Sequence, residues 1–438
     1  MAGNRVVSGM MQGDEAWCDV LVVGGGAAGL VAAKVAADTL ERRGRVVLLE
    51  RMPRPGSKIL VSGGGKCNVT HDATPGRFLE LGFRRTRERR FLRSACYAFT
   101  PDDLRDFLAG YGVKTAARAD GKVFPVSSMA GDVLDALMSG VREAGVKVMT
   151  GYRVLELRDI GDGYLAVCGD ASFRASKVIL ATGGVSYGHT GSTGDGLAMA
   201  RKLGHSIVAP GAALAPLFLD PAPGGTLAGK ALRSVELHVA CEGKTVKACG
   251  DILFTHKGVS GPAVLSLSRD VADLYTPGCD TTVSIDLFPG LDHVGLEERL
   301  LAYTAAHGAR QLSRFLSDES AFPSALVPLL CRQSEVDGAQ RLGELNRPAR
   351  RRLLGALKHF RVGKVRSIPL AAGEVSSGGV PLREIEPGTM ASRIAPGLYC
   401  CGELLDYVGE IGGFNLQAAF STGWLAGRSA ALSCREDH

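Results

Sequence analysis

Residues Cys18–Gly29 read CDVLVVGGGAAG, an apolar run that passes directly into glycines at 24, 26 and 29. The chain continues as LVAAKVAADTLERRG, a helical pattern, and a second apolar stretch, Arg45–Leu49, ends at Glu50. Strand, glycine turn, helix, strand and terminal acid place the G-x-G-x-x-G spacing in the context of a dinucleotide site. Gly24 permits the tight turn, Gly26 lets a pyrophosphate approach the backbone, and Gly29 allows helix and strand to pack closely. Ala27 and Ala28 open the helix, whose free N–H groups suit the phosphates, and Glu50 suits the adenosine ribose. An acid rather than an arginine at this place favours FAD or NAD over NADP.

Further along, Gly56–Asn68 reads GSKILVSGGGKCN, and the adjacent Gly63, Gly64 and Gly65 make a loop able to lie flat against a large planar group. Lys177–Ala181, KVILA, is another buried strand, ending in Thr182-Gly183-Gly184. Gly397–Cys401 is a last strand, followed by Gly402-Glu403 and then by Gly412–Gln417, which opens a helix. The N-terminus of that helix suits negative charge on a reduced flavin. No second complete glycine fingerprint precedes a helix, so a dedicated nicotinamide domain is not expected.

The whole chain has 438 residues, 45% hydrophobic and 22% charged, the balance of a folded soluble protein of two or three domains. Its 11 cysteines show no Cys-x-x-Cys pair and no metal spacing, which fits reduced thiols in the cytoplasm and predicts no metal site. Cys400 and Cys401 end an apolar strand and read as packing. Residues 1–17 lack the apolar core of a signal peptide, and no run of about 20 apolar residues is present to span a bilayer. The net charge of +6 is mild, but basic residues cluster at Arg84, Arg85, Arg87, Arg89, Arg90 and Arg93, and again from Arg347 to Arg366. Each cluster is either a solvated helix face or a surface for a polyanion.

With these motifs assembled, the sequence resembles the BaiN/YhiN-type bacterial FAD-dependent flavoproteins, which include bile-acid enone reductases and ribosomal RNA dihydrouridine synthases. The resemblance rests on VVGGGAAGL, KILVSGGGKCN, GKVFPVS, ILATGGVSYGHTGSTGDG, ILFTHKGVSGPAVLSLS, AAGEVS and GLYCCGELLDYVGEIGGFNLQAAFSTGWLAG, in that order. It implies an α/β fold of the two-dinucleotide-binding, glutathione-reductase-like type. Residues 16–205 and 366–438 would form the FAD domain. The insert, 206–365, would hold a small β-barrel (206–290 and 346–365) and a helical subdomain (291–345). Ser234–Val239 and Thr281–Leu287 read as strands of that barrel, and Leu296–Leu345 is rich in helix formers.

Carried over by position, the resemblance assigns Gly24, Gly26, Ala27, Ala28, Glu50, Arg51 and Val154 to the adenosine diphosphate half of FAD. Lys58, Ser62, Gly63, Gly64, Cys67 and Asn68 would approach the ribityl and ring portion. Thr182, Gly183, Gly402, Glu403, Gly413, Phe414, Asn415 and Leu416 would complete the pocket. Lys66 stands where arginine is common in the family, and Ser57 where a basic residue is usual. The implied chemistry is hydride transfer from flavin N5 to an activated C=C bond, with NADH or NADPH as reductant. The favoured acceptor is uridine in 23S ribosomal RNA, reached through the basic clusters. A small-molecule enone, an amine oxidised by oxygen, and a non-catalytic flavin-bearing role are the alternatives. Cys67, Tyr187 and His189 are candidates for proton transfer or substrate orientation, and His256 is notable without a fixed role.

Overall fold

The computed structural model describes residues 16–436 apart from 42, 277 and 319–321, so the reading of residues 1–15 as free of a leader lies outside the described residues. The opening residues form strand β1 (Ala16–Val23), helix α1 (Ala27–Thr39) and strand β2 (Val46–Glu50). All five side chains of β2 are buried, as a strand covered on both faces requires. The sheet runs Lys147–Thr150, β2, β1, Ala171–Leu180, Tyr164–Cys168 and Glu156–Asp159, with Leu398–Cys400 also pairing onto Ala171–Leu180.

Pairing is parallel from Lys147–Thr150 through Ala171–Leu180, with Val22 opposite Leu48 on one side and Ile179 on the other. The strand Ala171–Leu180 is shared along its length. Its first half pairs antiparallel with Tyr164–Cys168, while Val178–Leu180 pairs parallel with Leu398–Cys400. The last strand therefore enters beside Ala171–Leu180 although about 220 residues separate Leu180 from Cys401, whose N–H donates to the Leu180 carbonyl. Cys400 and Cys401 are fully buried there, and burial pushes both thiols up, Cys400 to about 12. The C-terminal helix, Phe414–Glu436, then packs along α1.

The described residues divide into two compact units, one of residues up to Gly184, 189–209 and 378 onward, the other of 185–188 and 210–377. The second unit contains a closed six-stranded barrel in the order Leu217–Asp220, Gly258–Ser260, Lys244–Phe254, Ala231–Cys241, Thr282–Asp286 and Phe360–Ser367. Val235, Leu237, Val239, Ile252, Phe254 and Ile285 are completely enclosed in its core. Helices His293–His307, Leu312–Asp318 and Val327–Ser334 follow the strand Thr282–Asp286. Within the stretch expected to return to the barrel, Arg347–Lys358 is a helix. Asn346 caps it by accepting from Ala349 N–H, Pro348 occupies its first turn, and Ala349, Leu353, Leu354, Ala356 and Leu357 form its buried face. No helix among the described residues is long and apolar enough to cross a membrane.

Candidate functional site

The turn between β1 and α1 is held from both sides. Gly24 N–H donates to Leu49 carbonyl at 2.8 Å, and Ala181 N–H donates to Val23 carbonyl at 2.9 Å. Gly24 sits at φ +104°, and a Cβ there would lie 2.6 Å from the Ala181 carbonyl oxygen. A Cβ at Gly29 would lie only 1.8 Å from the Gly24 oxygen, whereas one at Gly26 would meet no atom within 4 Å. Two fingerprint glycines thus serve the turn itself, while Gly26 faces open space. No side chain caps the N-terminus of α1 and no acid lies in its first turn, so its N–H groups remain available to an anion.

Glu50 closes this region. Glu50 is 8% exposed, and its carboxylate accepts from Gly25 N–H and Met52 N–H, each at 2.7 Å. Burial raises its pKa, with the Met52 and Gly25 N–H groups pulling the other way. Two bonds leave lone pairs for ribose hydroxyls. Glu50→Gln places an amide NH2 against one of these N–H groups and removes the charge. FAD affinity is expected to fall about tenfold to a hundredfold, since a hydrogen bond to a charged group contributes ~1.5–3 kcal/mol. Titration of the apoprotein with FAD measures it.

Beside Glu50 lies an ion cluster of which the sequence reading named only Arg51. Asp195, at the start of helix Asp195–Lys202, accepts from Nε and Nη2 of Arg153 at 2.7 and 2.9 Å and from Arg51 at 3.1 Å. Arg51 also donates to the Thr193 hydroxyl. Arg153 holds the Asp195 carboxyl below its ordinary value. Tyr152 N–H donates to Glu50 carbonyl at 3.0 Å, which brings the buried Val154 segment alongside β2. The glycine-rich stretch before Asp195, with Gly194 left-handed at φ +83°, was the available signal.

A second group of residues converges from Lys58–Asn68 and Gly402–Leu416. Lys58 and Glu403 form an ion pair at 2.6 Å. The Ser62 side chain donates to Ile59 carbonyl, and Gly63, Gly64 and Gly65 follow with φ of +56°, +66° and +83°, all exposed. The Asn68 amide, with its NH2 facing acceptors, donates to the Thr70 and Val123 carbonyls and accepts from Gly413 N–H, all at 3.0 Å. Gly413 is left-handed at φ +88°, where a Cβ would sit 2.4 Å from the Thr70 oxygen. Asn415 accepts from Gly409 N–H and donates to its carbonyl, and Phe414 stacks on His71 at 4.7 Å. Asn68 and Asn415 therefore build the two loops. Leu416 is half-buried beside them. Gly402, at φ +71°, donates its N–H to the Thr422 hydroxyl at 3.0 Å. Gly183 is left-handed at φ +73°, and the buried Thr182 hydroxyl has no partner among the described residues.

The candidates for proton transfer fare differently. Cys67 has no exposed surface and burial pushes its thiol up to about 11. Its enclosed sulfur fits packing under the glycine loop. Tyr187, in the second unit, is half-buried and left-handed at φ +51°; burial and then the Glu374 carboxylate raise its pKa. His189 lies in a short exposed turn of the first unit, and His256 is exposed in the barrel unit. Among the described residues no group of His, Cys, Asp or Glu could hold a metal ion.

Many of the clustered basic residues have partners within their own unit. Arg84 pairs with Glu410 and Arg87 with Asp406, while Arg89 donates to the Phe83 and Arg84 carbonyls. In the other cluster Arg350 pairs with Glu297, Lys358 with Asp286 and Lys364 with Asp280, and Arg352 donates to Ser334 carbonyl. Arg90 and Arg93 in the first cluster, and Arg347, Arg351, Arg361 and Arg366 in the second, are exposed. Arg93 lies over the Tyr97 ring.

The HI0933-like protein Rossmann domain family matches residues 18–429. The chain belongs to that family. It is 32% identical to a 3-dehydro-bile acid delta(4,6)-reductase of Clostridium scindens over 94% of its own length and 98% of that protein. It is 31% identical to a ribosomal RNA dihydrouridine synthase of Escherichia coli, over 93% and 96%. A solved 3-ketosteroid delta1-dehydrogenase of Sterolibacterium denitrificans is similar in fold alone, at 14% identity and a TM-score of 0.51, covering 95% of this chain and all of that one. This HI0933-like chain has an FAD-type Rossmann fold and is an FAD-dependent oxidoreductase. Its own residues fit the dinucleotide, through the open space at Gly26, the uncapped N-terminus of α1 and the buried Thr182 hydroxyl.

Proposed function

We propose that this protein reduces an activated C=C bond and that its substrate is uridine in 23S ribosomal RNA, saturated at C5–C6 to dihydrouridine. FAD, when bound, supplies the hydride, and NADH or NADPH restores the electrons. Val154 and Glu50 would hold the adenosine end, Lys58 and the Gly63–Gly65 loop the ring end, and His189 of the same unit would orient the base. The reading is supported by the Escherichia coli relative, named for the same reaction. The observation that favours RNA over an apolar acceptor is the set of exposed arginines, Arg90, Arg93, Arg347, Arg351, Arg361 and Arg366, none of them paired with a carboxylate among the described residues. Guanidinium groups left in this state suit phosphates.

A second reading, reduction of a small enone, draws on the Clostridium relative, named for a bile-acid reduction at similar identity. Both acceptors present a C=C bond conjugated to a carbonyl, so one cofactor chemistry serves either. Deleting the gene and mapping dihydrouridine in 23S ribosomal RNA separates them. Loss of the modified base, restored by the wild-type gene, is the expected result; an unchanged map moves the assignment to the enone. In the purified protein, binding to ribosomal RNA should weaken with salt. Replacing one phosphate-contacting arginine should lower the slope of log affinity against log salt by about 1.

A further inference from the structure

Away from the nucleotide turn, the first unit carries a groove of about 270 Å³ between α1, Pro101–Gly110, Ala130–Glu143 and the C-terminal helix. Its walls are Leu30, Val31, Phe99, Phe107, Leu137 and Trp424, with the Phe99 and Trp424 rings stacked at 6.4 Å. At ~30 Å³ per water this space equals about nine waters held against hydrocarbon and aromatic surface. An apolar chain displaces such water favourably. The same groove is lined by three charged residues, Lys34, Asp38 and Arg428. Lys34 and Asp38 neutralise each other as an i, i+4 pair on α1. Arg428, one helical turn beyond Trp424, has its guanidinium carbon 5.4 Å from that ring and no carboxylate partner among the described residues. An apolar trough with one uncompensated cation matches an amphipathic anion in both shape and charge.

We propose that this groove binds a long-chain carboxylate, with the hydrocarbon body against its apolar walls, Val35 included, and the head on Arg428. The site is separate from the residues assigned to FAD and does not depend on which acceptor the enzyme reduces. It also contains its own reporter, because the chain has two tryptophans and the other, Trp17, is 45% exposed on β1.

The test uses the flavin-loaded protein carrying Trp17→Phe, titrated with octanoate, decanoate and decanol while the emission of Trp424 is followed. A saturable change is expected, with decanoate binding about tenfold tighter than decanol, as a charge-assisted head contact predicts. Each added methylene should tighten binding by about fourfold, so decanoate should exceed octanoate by about fifteenfold. Arg428→Glu should remove the preference for the acid over the alcohol. Val35→Phe, which narrows the groove, should weaken both ligands. Retained flavin absorbance reports that each variant is folded. Emission that stays unchanged up to the solubility limit overturns the proposal. So does equal affinity for decanoate and decanol, or an Arg428→Glu protein that keeps the preference.

Discussion

Gly29→Ala is expected to yield a protein that loses its flavin and much of its stability, while Gly26→Ala folds normally and is impaired only in holding FAD. The two glycines belong to one fingerprint, yet their surroundings differ. A Cβ at Gly29 would stand 1.8 Å from the Gly24 carbonyl oxygen, a backbone atom fixed by the β1 turn. Relief requires α1 to move away from β1, which breaks the packing of Leu30, Val31 and Ala33, all buried. Overpacking against backbone costs about 3 kcal/mol or more. At Gly26 a Cβ meets nothing within 4 Å, and its φ of −82° is one that any residue adopts. The added methyl therefore occupies only the space in which a pyrophosphate would approach the helix. Thermal midpoints of the two apoproteins, set beside FAD titrations, separate the effects. A Gly26→Ala protein as unstable as Gly29→Ala would contradict this division of roles.

The same contrast explains what the sequence made legible. Gly24, Gly26, Gly29 and Glu50 lie within 27 consecutive residues and follow a pattern dictated by local backbone geometry, so their roles could be read directly. Two of the six barrel strands, read at Ser234–Val239 and Thr281–Leu287, were visible as alternating apolar residues, because a strand enclosed on its inner face needs them. The helix at Arg347–Lys358 was legible only as a charged face: four arginines in its first six residues hide a buried face of alanines and leucines. The glycines before Asp195 mark its place, but its role could not be read locally, since its partners Arg51 and Arg153 are 144 and 42 residues distant. Asn68 presented the opposite difficulty. It lies in a recognised motif and was assigned to the flavin, but its amide is occupied with Thr70, Val123 and Gly413. A motif identifies where a site is built, and the hydrogen bonds show which of its side chains hold the loops in place.

Gly423→Val should have an effect comparable to Gly29→Ala, although residue 423 is far from any nucleotide motif. The C-terminal helix approaches α1 so closely that a Cβ at Gly423 would lie 2.3 Å from the Ala28 carbonyl oxygen, and one at Gly427 would lie 2.3 Å from that of Ala32. Small residues on both helices set this separation, and a branched side chain must push the axes apart. Displacement also pulls on Thr422, whose hydroxyl accepts from Gly402 N–H, and on Gly413, whose N–H donates to Asn68. Loss of about 3 kcal/mol should lower the thermal midpoint by roughly 10 °C and release flavin into the filtrate. The control is Gly355→Ala in helix Arg347–Lys358, where nothing lies within 4 Å of the added carbon. There alanine's better helix propensity should leave stability unchanged or raise it by up to ~1 kcal/mol. If Gly423→Val kept its flavin and its midpoint, the close approach of the C-terminal helix would not be what fixes the Gly402 and Gly413 loops.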